Sequence, residues 1–216
     1  MFTSLNDVEI LGKKELGHGA FSSVRRCRSR KDGKLYALKT INLGALVKED
    51  VDNIEREIRL HKGLDHPNIV KFYTVIREGP LAHILLEYVA NSSLVYYLDS
   101  QKGLPEHLAM RFFYQVTSAT AYLHSRNVLH RDIKPENVIL DEDFSCKLCD
   151  FGWAATVGPS QGGRKSICGT FEYMAPEVFD EKGHSGKADV WCLGILLYEL
   201  LHGWFIRSSP CASEQS

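Results

Sequence analysis

The sequence predicts an α+β protein in two parts, a mostly antiparallel sheet with one helix followed by a mainly helical region. The first ninety residues contain short runs typical of strands, which are separated by turn residues such as Asp32-Gly33; the run 35–41 alternates between apolar and polar residues. Residues 47–64 interrupt these runs with apolar positions at helical spacing. After the polar tripeptide 91–93 the apolar period becomes helical over long stretches.

The elements follow in chain order from these patterns. The predicted strands and helices are a strand at 9–16, strands at 23–29 and 35–41, a helix at 47–64, strands at 69–76 and 83–89, a helix at 105–125 opened by Pro105, short strands at 138–140 and 146–149, and a helix at 185–202. The stretch 150–176 is rich in Gly and Ser and weakly periodic, which is typical of a functional loop.

Composition excludes several classes of protein. With a net charge of -1, the chain lacks the excess of positive charge that is typical of proteins that bind nucleic acid or membrane surfaces. The first ten residues lack the basic and apolar regions of a signal peptide. The longest nearly apolar run, 191–201, contains Glu199 and is too short to span a bilayer. We therefore expect a soluble protein of the cytoplasm or nucleus with no nucleic-acid or membrane partner.

The six cysteines are scattered, which suits reduced thiols better than a disulfide framework. Cys146 and Cys149 read C-x-x-C, so a zinc or redox site is an alternative. Residues three apart on a strand point to opposite faces, however, and no second ligand pair follows. We favour the structural interpretation.

Two features of the first part of the chain predict phosphate binding. The segment 16–24, LGHGAFSSV, places Gly17 and Gly19 between two strands, where backbone N–H groups can approach phosphate oxygens. A strand rather than a helix follows, which argues against a dinucleotide fold. Lys39 lies within an apolar strand and needs anionic partners, which Glu57 on the next helix and phosphate oxygens would supply. A hairpin turn and a surface lysine are the plainer alternatives.

The strongest signal is HRDIKPEN at 130–137 followed by DFG at 150–152. With the glycine segment, Lys39, Glu57 and APE at 175–177, this order resembles the protein kinase family over about residues 9–203. The resemblance implies a two-lobed protein kinase fold, with an N-lobe of antiparallel sheet and one helix and a mainly helical C-lobe.

The resemblance also implies roles for these residues. Asp132 would accept the proton of the substrate hydroxyl, and Lys134 would neutralise charge on the transferred phosphoryl group. Asn137 and Asp150 would hold Mg²⁺ between the phosphates of ATP. Lys39, paired with Glu57, would hold the α- and β-phosphates.

The adenine of ATP would bind at a hinge between the lobes. The residues that the resemblance assigns to nucleotide binding are Leu16, Gly17, Gly19, Val24, Ala37, Lys39, Leu86, Glu87, Val89, Asn137 and Asp150.

Specificity and regulation are implied by the same resemblance. The catalytic-loop sequence and Gly169-Thr170 are typical of Ser/Thr kinases, with Thr170 expected to bridge Asp132 and Lys134. Glu136 lies where kinases that prefer basic substrates contact an arginine, so protein substrates with Arg or Lys upstream of Ser/Thr are expected. A solvated loop charge is the alternative interpretation of Glu136. A protein-substrate docking loop at 169–177 disfavours a small-molecule phosphotransferase.

The loop sequence is most similar to the Aurora kinases, because DFGW at 150–153 and RKSICGT at 164–170 match their pattern. A phosphate on Ser166 would pair with Arg131 and order the loop. The internal stack of that family would be His61, Phe72, His130 and Phe151. His61 would make the stack depend on an activating protein, or it is a satisfied core histidine. Spindle or centrosome localisation and a role in cell division follow by family analogy.

The resemblance stops after Gly203. We therefore expect a kinase N-lobe at 1–90, a partial C-lobe at 91–203 and a divergent tail at 204–216. A C-lobe truncated in this way would leave Glu177 without its usual arginine and would expose apolar surface on the last helix. The alternative to an active kinase is a catalytically impaired form that binds ATP or a partner protein.

Overall fold

The computed structural model describes residues 2–19, 21–157, 169–179 and 185–203, and the chain forms two compact units. The first unit comprises Met1–Asp65 and Val70–Val89, and the second comprises His66–Ile69 and Ala90–Ser216. The short segment His66–Ile69 thus belongs to the second unit, although residues on both sides of it in the sequence belong to the first.

The first unit is a five-stranded antiparallel sheet with one long helix. The strands lie in the order β1-β2-β3-β5-β4. Their bounds, with that of the helix, are β1 Val8–Gly19, β2 Ser22–Ser29, β3 Leu35–Asn42, α1 Lys48–Lys62, β4 Phe72–Glu78 and β5 Leu81–Glu87.

The two faces of the sheet have separate cores. One face buries Tyr36, Leu38 and Leu85, with Phe2 packed edge-on against Tyr36 at a ring-centroid distance of 5.0 Å. The other face buries Ile41 and Ile84 in one apolar cluster with Ile58 of α1. Acidic residues in the first turn of α1 and basic residues in its last turn suit the helix dipole.

His83 on β5 is a buried histidine with one unsatisfied nitrogen. Its Nδ1 lies 2.9 Å from the Thr40 hydroxyl, whereas its Nε2 is buried without a hydrogen-bond partner. Burial lowers the pKa of His83 below its ordinary value. The folded sheet therefore favours the neutral form of the His83 ring.

The free energy of unfolding is expected to fall as the pH drops below about 6.5. His83 then binds a proton in the unfolded chain, whereas its lowered pKa keeps it neutral in the folded sheet. His83→Leu should flatten this part of the profile of unfolding free energy against pH, as measured by urea denaturation at pH 5.5 and pH 7.5. A His107→Leu control, at an exposed position on a helix of the second unit, should keep the slope of the unsubstituted chain. An equal slope in the His83 variant would contradict the assignment.

The second unit is mainly helical. Its elements are α2 Leu94–Asp99, α3 Glu106–Ser125, β6 Val128–Leu129, β7 Val138–Leu140, β8 Cys146–Leu148, β9 Ala155–Thr156, α4 Pro176–Phe179 and α5 Gly186–His202. The helix α3 packs against α5 and buries Phe112, Val116 and Leu123 along one stripe. The strands form two small antiparallel pairs, β6 with β9 and β7 with β8.

The structure differs from the sequence predictions at two elements and one side chain. The strand expected at 69–76 begins at Phe72, because Ile69 instead forms a parallel bridge with Leu148 in the second unit. The helix α2 was not predicted as a separate element; Leu94 and Leu98, one helical turn apart, are its buried residues. Glu177 is only half-buried, so the full penalty of a buried unpaired carboxylate does not apply to it.

Among the described residues, no helix combines the length and apolarity needed to span a membrane.

The four cysteines in the described ranges carry free thiols, and no cluster of three His, Cys, Asp or Glu side chains there has a metal-binding arrangement. Burial raises the pKa of Cys146 to about 12, so its thiol stays protonated. On α5, Val190 and Trp191 are 59% and 45% exposed.

Candidate active site

The buried carboxylate of Asp189, on α5, forms hydrogen bonds to the start of the loop 130–137. Its oxygens accept the backbone N–H of His130 at 3.0 Å and of Arg131 at 2.8 Å. The ring of His124 on α3 lies 2.7 Å from the same carboxylate. Burial alone would raise the pKa of Asp189, but the His124 hydrogen bond and the two backbone donors lower it overall. The carboxylate is thus ionised and fixes the start of the loop.

Asp132 is the centre of a hydrogen-bonded network within the second unit. One carboxylate oxygen accepts the Thr170 hydroxyl at 2.7 Å and the Thr170 backbone N–H at 3.0 Å. The other oxygen accepts the Asn137 amide at 2.7 Å and lies 3.2 Å from the Lys134 ammonium. Lys134 also donates to the Thr170 hydroxyl at 2.5 Å. The structure thus places Thr170 between Asp132 and Lys134, where the sequence expected a bridge.

Asn137 is oriented by Asp132. Its amide nitrogen donates to both the backbone carbonyl and the carboxylate of Asp132, at 2.8 and 2.7 Å. Because the nitrogen faces Asp132, the amide oxygen points the opposite way and can serve another ligand.

Gly169 allows Thr170 to approach this network. Its φ is 97°, and a Cβ at this position would collide with the backbone carbonyl of Arg131. Only glycine fits both the left-handed backbone and the close contact.

The segment that begins with Asp150 is separated from β8 by one residue, Cys149. Asp150 has a φ of 60°, is exposed, and accepts the Gly152 N–H at 3.1 Å. The ring of Phe151 is buried and lies 5.2 Å, edge-on, from that of His130. Arg131 donates from Nε to the Trp153 carbonyl at 2.6 Å, which links this segment to the loop at 130–137.

Lys39 and Glu57 form an ion pair within the first unit. The ammonium on β3 lies 2.9 Å from the Glu57 carboxylate on α1, and both side chains are mostly shielded from solvent. The pairing expected from sequence is therefore present in the geometry. It holds the lysine amine at a fixed point above the sheet face that carries Ile41 and Ile84.

The glycine segment is the end of the β1–β2 hairpin. Gly17 pairs with Val24 and Gly19 with Ser22, and open space lies where a Cβ on Gly17 would be. Ala37 is buried on β3, Leu16 is half exposed, and Leu86 and Glu87 end β5. Val89 is half-buried at the end of the first unit.

An acidic pocket that the sequence analysis did not foresee lies in the second unit, with a volume of about 400 Å³. Its carboxylates belong to Asp99, Glu136, Glu172 and Glu199. The other lining residues within the described ranges, which we include in the term acidic pocket, are Val95, Leu98, Pro135, Thr170, Tyr173 and Gly203. Glu136, the predicted substrate contact, is exposed at this pocket, whereas Glu199 is 7% exposed.

Glu199 is bound to the Tyr173 hydroxyl, which donates to it at 2.5 Å. Burial raises the pKa of Glu199 to about 7, although the Tyr173 hydrogen bond acts in the opposite direction. Burial and the neighbouring Glu199 in turn raise the pKa of Tyr173 well above its ordinary value. A glutamate inside a largely apolar helix was the signal in the sequence, since a buried carboxyl group needs a partner.

The raised pKa of Glu199 has a measurable consequence. Between about pH 4.5 and pH 7 the unfolded chain loses a proton that folded Glu199 retains, so this group lowers stability progressively over that window. Glu199→Gln should raise the melting temperature at pH 8 and leave it nearly unchanged at pH 4.5. The matched variant Glu172→Gln, at an exposed position in the same pocket, should change it at neither pH. An unchanged melting temperature for Glu199→Gln at pH 8 would contradict the shift.

Two further expectations have partial outcomes. Ser166 lies outside the described residues, so its pairing with Arg131 stays a prediction. His61 is buried and lies 5.5 Å from Phe72 by ring centroids, and its Nε2 donates to the Val70 carbonyl at 2.7 Å. It therefore has the hydrogen-bond partner that a core histidine requires.

Sequence comparison relates the chain to known proteins. The protein kinase domain model matches residues 11–214. The Aurora kinase of Candida glabrata is 37% identical over 93% of this chain and 55% of its own length. The Aurora kinase of Schizosaccharomyces pombe is 37% identical over 88% of the chain and 53% of its length. Aurora/IPL1-related protein kinase 2 of Caenorhabditis briggsae is 35% identical over 93% of the chain and 65% of its length.

A hydrogen-bonded Asp–Lys–Asn–Thr network in a mainly helical unit, and a Lys–Glu pair in a sheet unit, define a protein kinase domain. The chain belongs to the protein kinase family, with the α+β fold expected from its sequence. Within that family it is similar to the Aurora kinases, and it spans about half the length of the curated relatives it matches.

Proposed function

We propose that the chain is a serine/threonine protein kinase that transfers the γ-phosphoryl group of ATP to protein hydroxyl groups. The observation that carries this proposal is the network in which Asp132 accepts from Thr170 and Asn137 and lies beside Lys134. It presents one carboxylate and one ammonium group side by side, which is the arrangement that phosphoryl transfer to a hydroxyl requires.

Within this network Asp132 accepts the proton of the substrate hydroxyl as its oxygen attacks the phosphorus. Hydrogen bonds from Thr170 and Asn137 fix the direction of the carboxylate, so little reorganisation is needed during reaction. Lys134 places positive charge next to the position of the transferred group. Thr170, at the start of the docking loop, couples that position to the bound peptide.

Mg²⁺ fits the donors that the chain offers. Asn137 directs an amide oxygen away from Asp132, and Asp150 has an exposed carboxylate. Hard oxygen donors of this kind suit Mg²⁺, which needs only one or two protein carboxylates beside phosphate oxygens. When bound, Mg²⁺ would neutralise charge on the phosphates of ATP. Asn137 and Asp150 are the residues that would hold it.

For the nucleotide we propose a site on the first unit. The Lys39 ammonium, held by Glu57 at 2.9 Å, would bind the α- and β-phosphates. The backbone of the glycine hairpin would cover the phosphates, and the backbone at Glu87–Val89 would bind adenine between apolar side chains.

The acidic pocket supports a preference for basic substrates. Exposed Glu136 and buried Glu199 line the same cavity, and a guanidinium group would pair with both. We therefore propose substrates with Arg or Lys upstream of the target Ser or Thr. From the similarity to Aurora kinases we also propose an activating protein partner and a role in cell division in the cytoplasm or nucleus.

Phosphate transfer from labelled Mg-ATP to a serine peptide with an upstream arginine tests the proposal. Asp150→Ala should abolish transfer, whereas the control Asp143→Ala, an exposed carboxylate in the β7–β8 turn, should retain it. A nucleotide-dependent rise in melting temperature without transfer would instead support a nucleotide-binding protein. Equal transfer by both variants would contradict the assigned role of Asp150.

A further inference from the structure

A second cavity of the second unit, about 790 Å³ in volume, shares no described lining residue with the acidic pocket. Three segments form its walls: positions 107–115 of α3, positions 141–147 of the β7–β8 hairpin, and residues 67–68. We call this cavity the α3 groove. Its volume is typical of clefts that bind ligands. Among the described residues, none that belongs to the Asp132 network lines the groove, so it is separate from the candidate active site.

Hydrogen bonds between side chains and backbone join the three walls of the groove. The Gln115 side-chain oxygen accepts the Cys146 N–H at 2.8 Å, and the Asn68 amide nitrogen donates to the Cys146 carbonyl at 2.9 Å. The Lys147 ammonium donates to the Pro67 carbonyl at 3.0 Å. Because these bonds link α3, β8 and residues 67–68, the groove is already formed before any ligand binds. A ligand therefore binds with little cost of reorganisation.

The α3 wall of the groove carries two exposed apolar side chains. Met110 is 46% exposed and Tyr114 is 73% exposed, and they lie about one helical turn apart. On the helix they are nearly opposite the buried Phe112 and Val116, so the packing of α3 against the core does not use them. Positions 107–115 extend about 12 Å along the helix axis, which is the length of about four extended peptide residues. This wall therefore offers apolar contact over the length of a short peptide segment.

The charged side chains of the groove favour a carboxylate. Arg111 on α3 donates from Nη2 to the Asp143 backbone carbonyl at 2.9 Å, and this bond to a neutral acceptor positions the guanidinium without cancelling its charge. Lys147 supplies a second positive charge from the hairpin. Asp141 is the one carboxylate among the described lining residues, and its Oδ1 already accepts the N–H groups of Asp143 and Ser145. An anionic group in the groove would therefore meet two cations.

We propose that the α3 groove binds a short acidic segment of a partner protein. A carboxylate of this segment pairs with Arg111 and Lys147, because a planar guanidinium matches the geometry of a carboxylate. A neighbouring aromatic or aliphatic side chain of the segment packs on Met110 and Tyr114. The acidic residues 142–143, at the tip of the hairpin, are exposed and do not line the groove, so they offset its charge at long range. Recognition therefore requires the charged contact and the apolar contact together.

Fluorescence anisotropy of a labelled peptide, GSEDFLSG, titrated with the full chain tests the charged contact. Saturable binding is expected, and a Kd weaker than about 1 mM would overturn the proposal. Arg111→Ala should raise the Kd about tenfold because it removes a charge-assisted pair, and Arg111→Lys should give an intermediate Kd because lysine lacks the planar fork. The control Arg126→Ala removes an exposed cation at the end of α3, outside the groove, and should leave the Kd unchanged. Equal Kd values for Arg111→Ala and the unsubstituted chain would overturn the proposal.

A second set of titrations tests the apolar contact. Tyr114→Ala should raise the Kd several-fold, whereas the control Tyr96→Ala, which removes a 68% exposed tyrosine on α2 outside the groove, should not change it. The peptide GSEDSGSG keeps both carboxylates but lacks the apolar pair, and it should bind several-fold more weakly than GSEDFLSG. Equal binding of the two peptides, or equal Kd values for the two tyrosine variants, would indicate non-specific attraction of charge and would overturn the proposal. None of these outcomes involves phosphate transfer, so they are independent of the proposed function.

Discussion

Asp132→Asn is expected to lower kcat for peptide phosphorylation by about a hundredfold to ten-thousandfold. Asparagine keeps the shape of the side chain but cannot accept the proton of the attacking hydroxyl. It also replaces one acceptor oxygen by a donor in a network where Thr170, Asn137 and Lys134 all point donors at Asp132. The rate should be measured with saturating Mg-ATP and a serine peptide that has an upstream arginine.

The matched control for Asp132→Asn is Asp141→Asn. Asp141 also accepts two hydrogen bonds, from the N–H groups of Asp143 and Ser145, but it lies in the turn between β7 and β8. Its variant should keep kcat within about twofold. Melting temperatures of the two variants show whether each remains folded. A folded Asp132→Asn protein with more than a tenth of the original rate would contradict the assignment of Asp132 as the base.

The parts of the site that sequence predicted well are those carried by short, local motifs. The loop at 130–137 contains Asp132, Lys134 and Asn137 within six consecutive residues. The backbone conformation of this one loop therefore sets most of their relative positions. The Lys39–Glu57 pair joins a strand and the helix that follows it. A lysine in an apolar strand requires an anion, and the neighbouring amphipathic helix offers one at the right face.

The contributions of α5 were harder to predict because they depend on tertiary packing. Asp189 and Glu199 lie in a mostly apolar helix, which indicates burial but does not reveal what each carboxylate contacts. Asp189 bonds to residues 58 and 59 positions earlier, and Glu199 to a tyrosine 26 positions earlier. Periodicity within the helix carries no information about such distant partners.

The strand β4 shows the same difficulty for backbone structure. Ile69 and Val70 continue the apolar run of the strand, so the period extends the prediction to residue 69. In the structure Ile69 is buried by a bridge to Leu148, and the Leu148 N–H donates to the Asn68 carbonyl at 2.8 Å. Burial by a distant element and burial within a strand give the same sequence pattern.

Asp189→Ala is expected to destabilise the folded protein by about 3–5 kcal/mol, the cost typical of removing one partner from a buried charge-assisted network. The substitution leaves the N–H groups of His130 and Arg131 without an acceptor and removes the partner of His124. For a chain of this size the melting temperature should fall by roughly 6–20 °C. Because the pKa of Asp189 is lowered, the carboxylate contributes its full stability above about pH 4 and loses it as the pH falls through the folded pKa.

The variants Asp189→Asn and Asp143→Ala separate the two causes of this loss. Asparagine can still accept one of the two backbone N–H groups, so it should recover part of the melting temperature lost in Asp189→Ala. Asp143→Ala removes an exposed carboxylate of the same unit and should change the melting temperature by less than about 2 °C. The loop at 130–137 should also lose its alignment, so kcat should fall in Asp189→Asn even at temperatures where that protein is fully folded. A folded Asp189→Asn with unchanged kcat would show that α5 supports the stability of the unit without positioning Asp132.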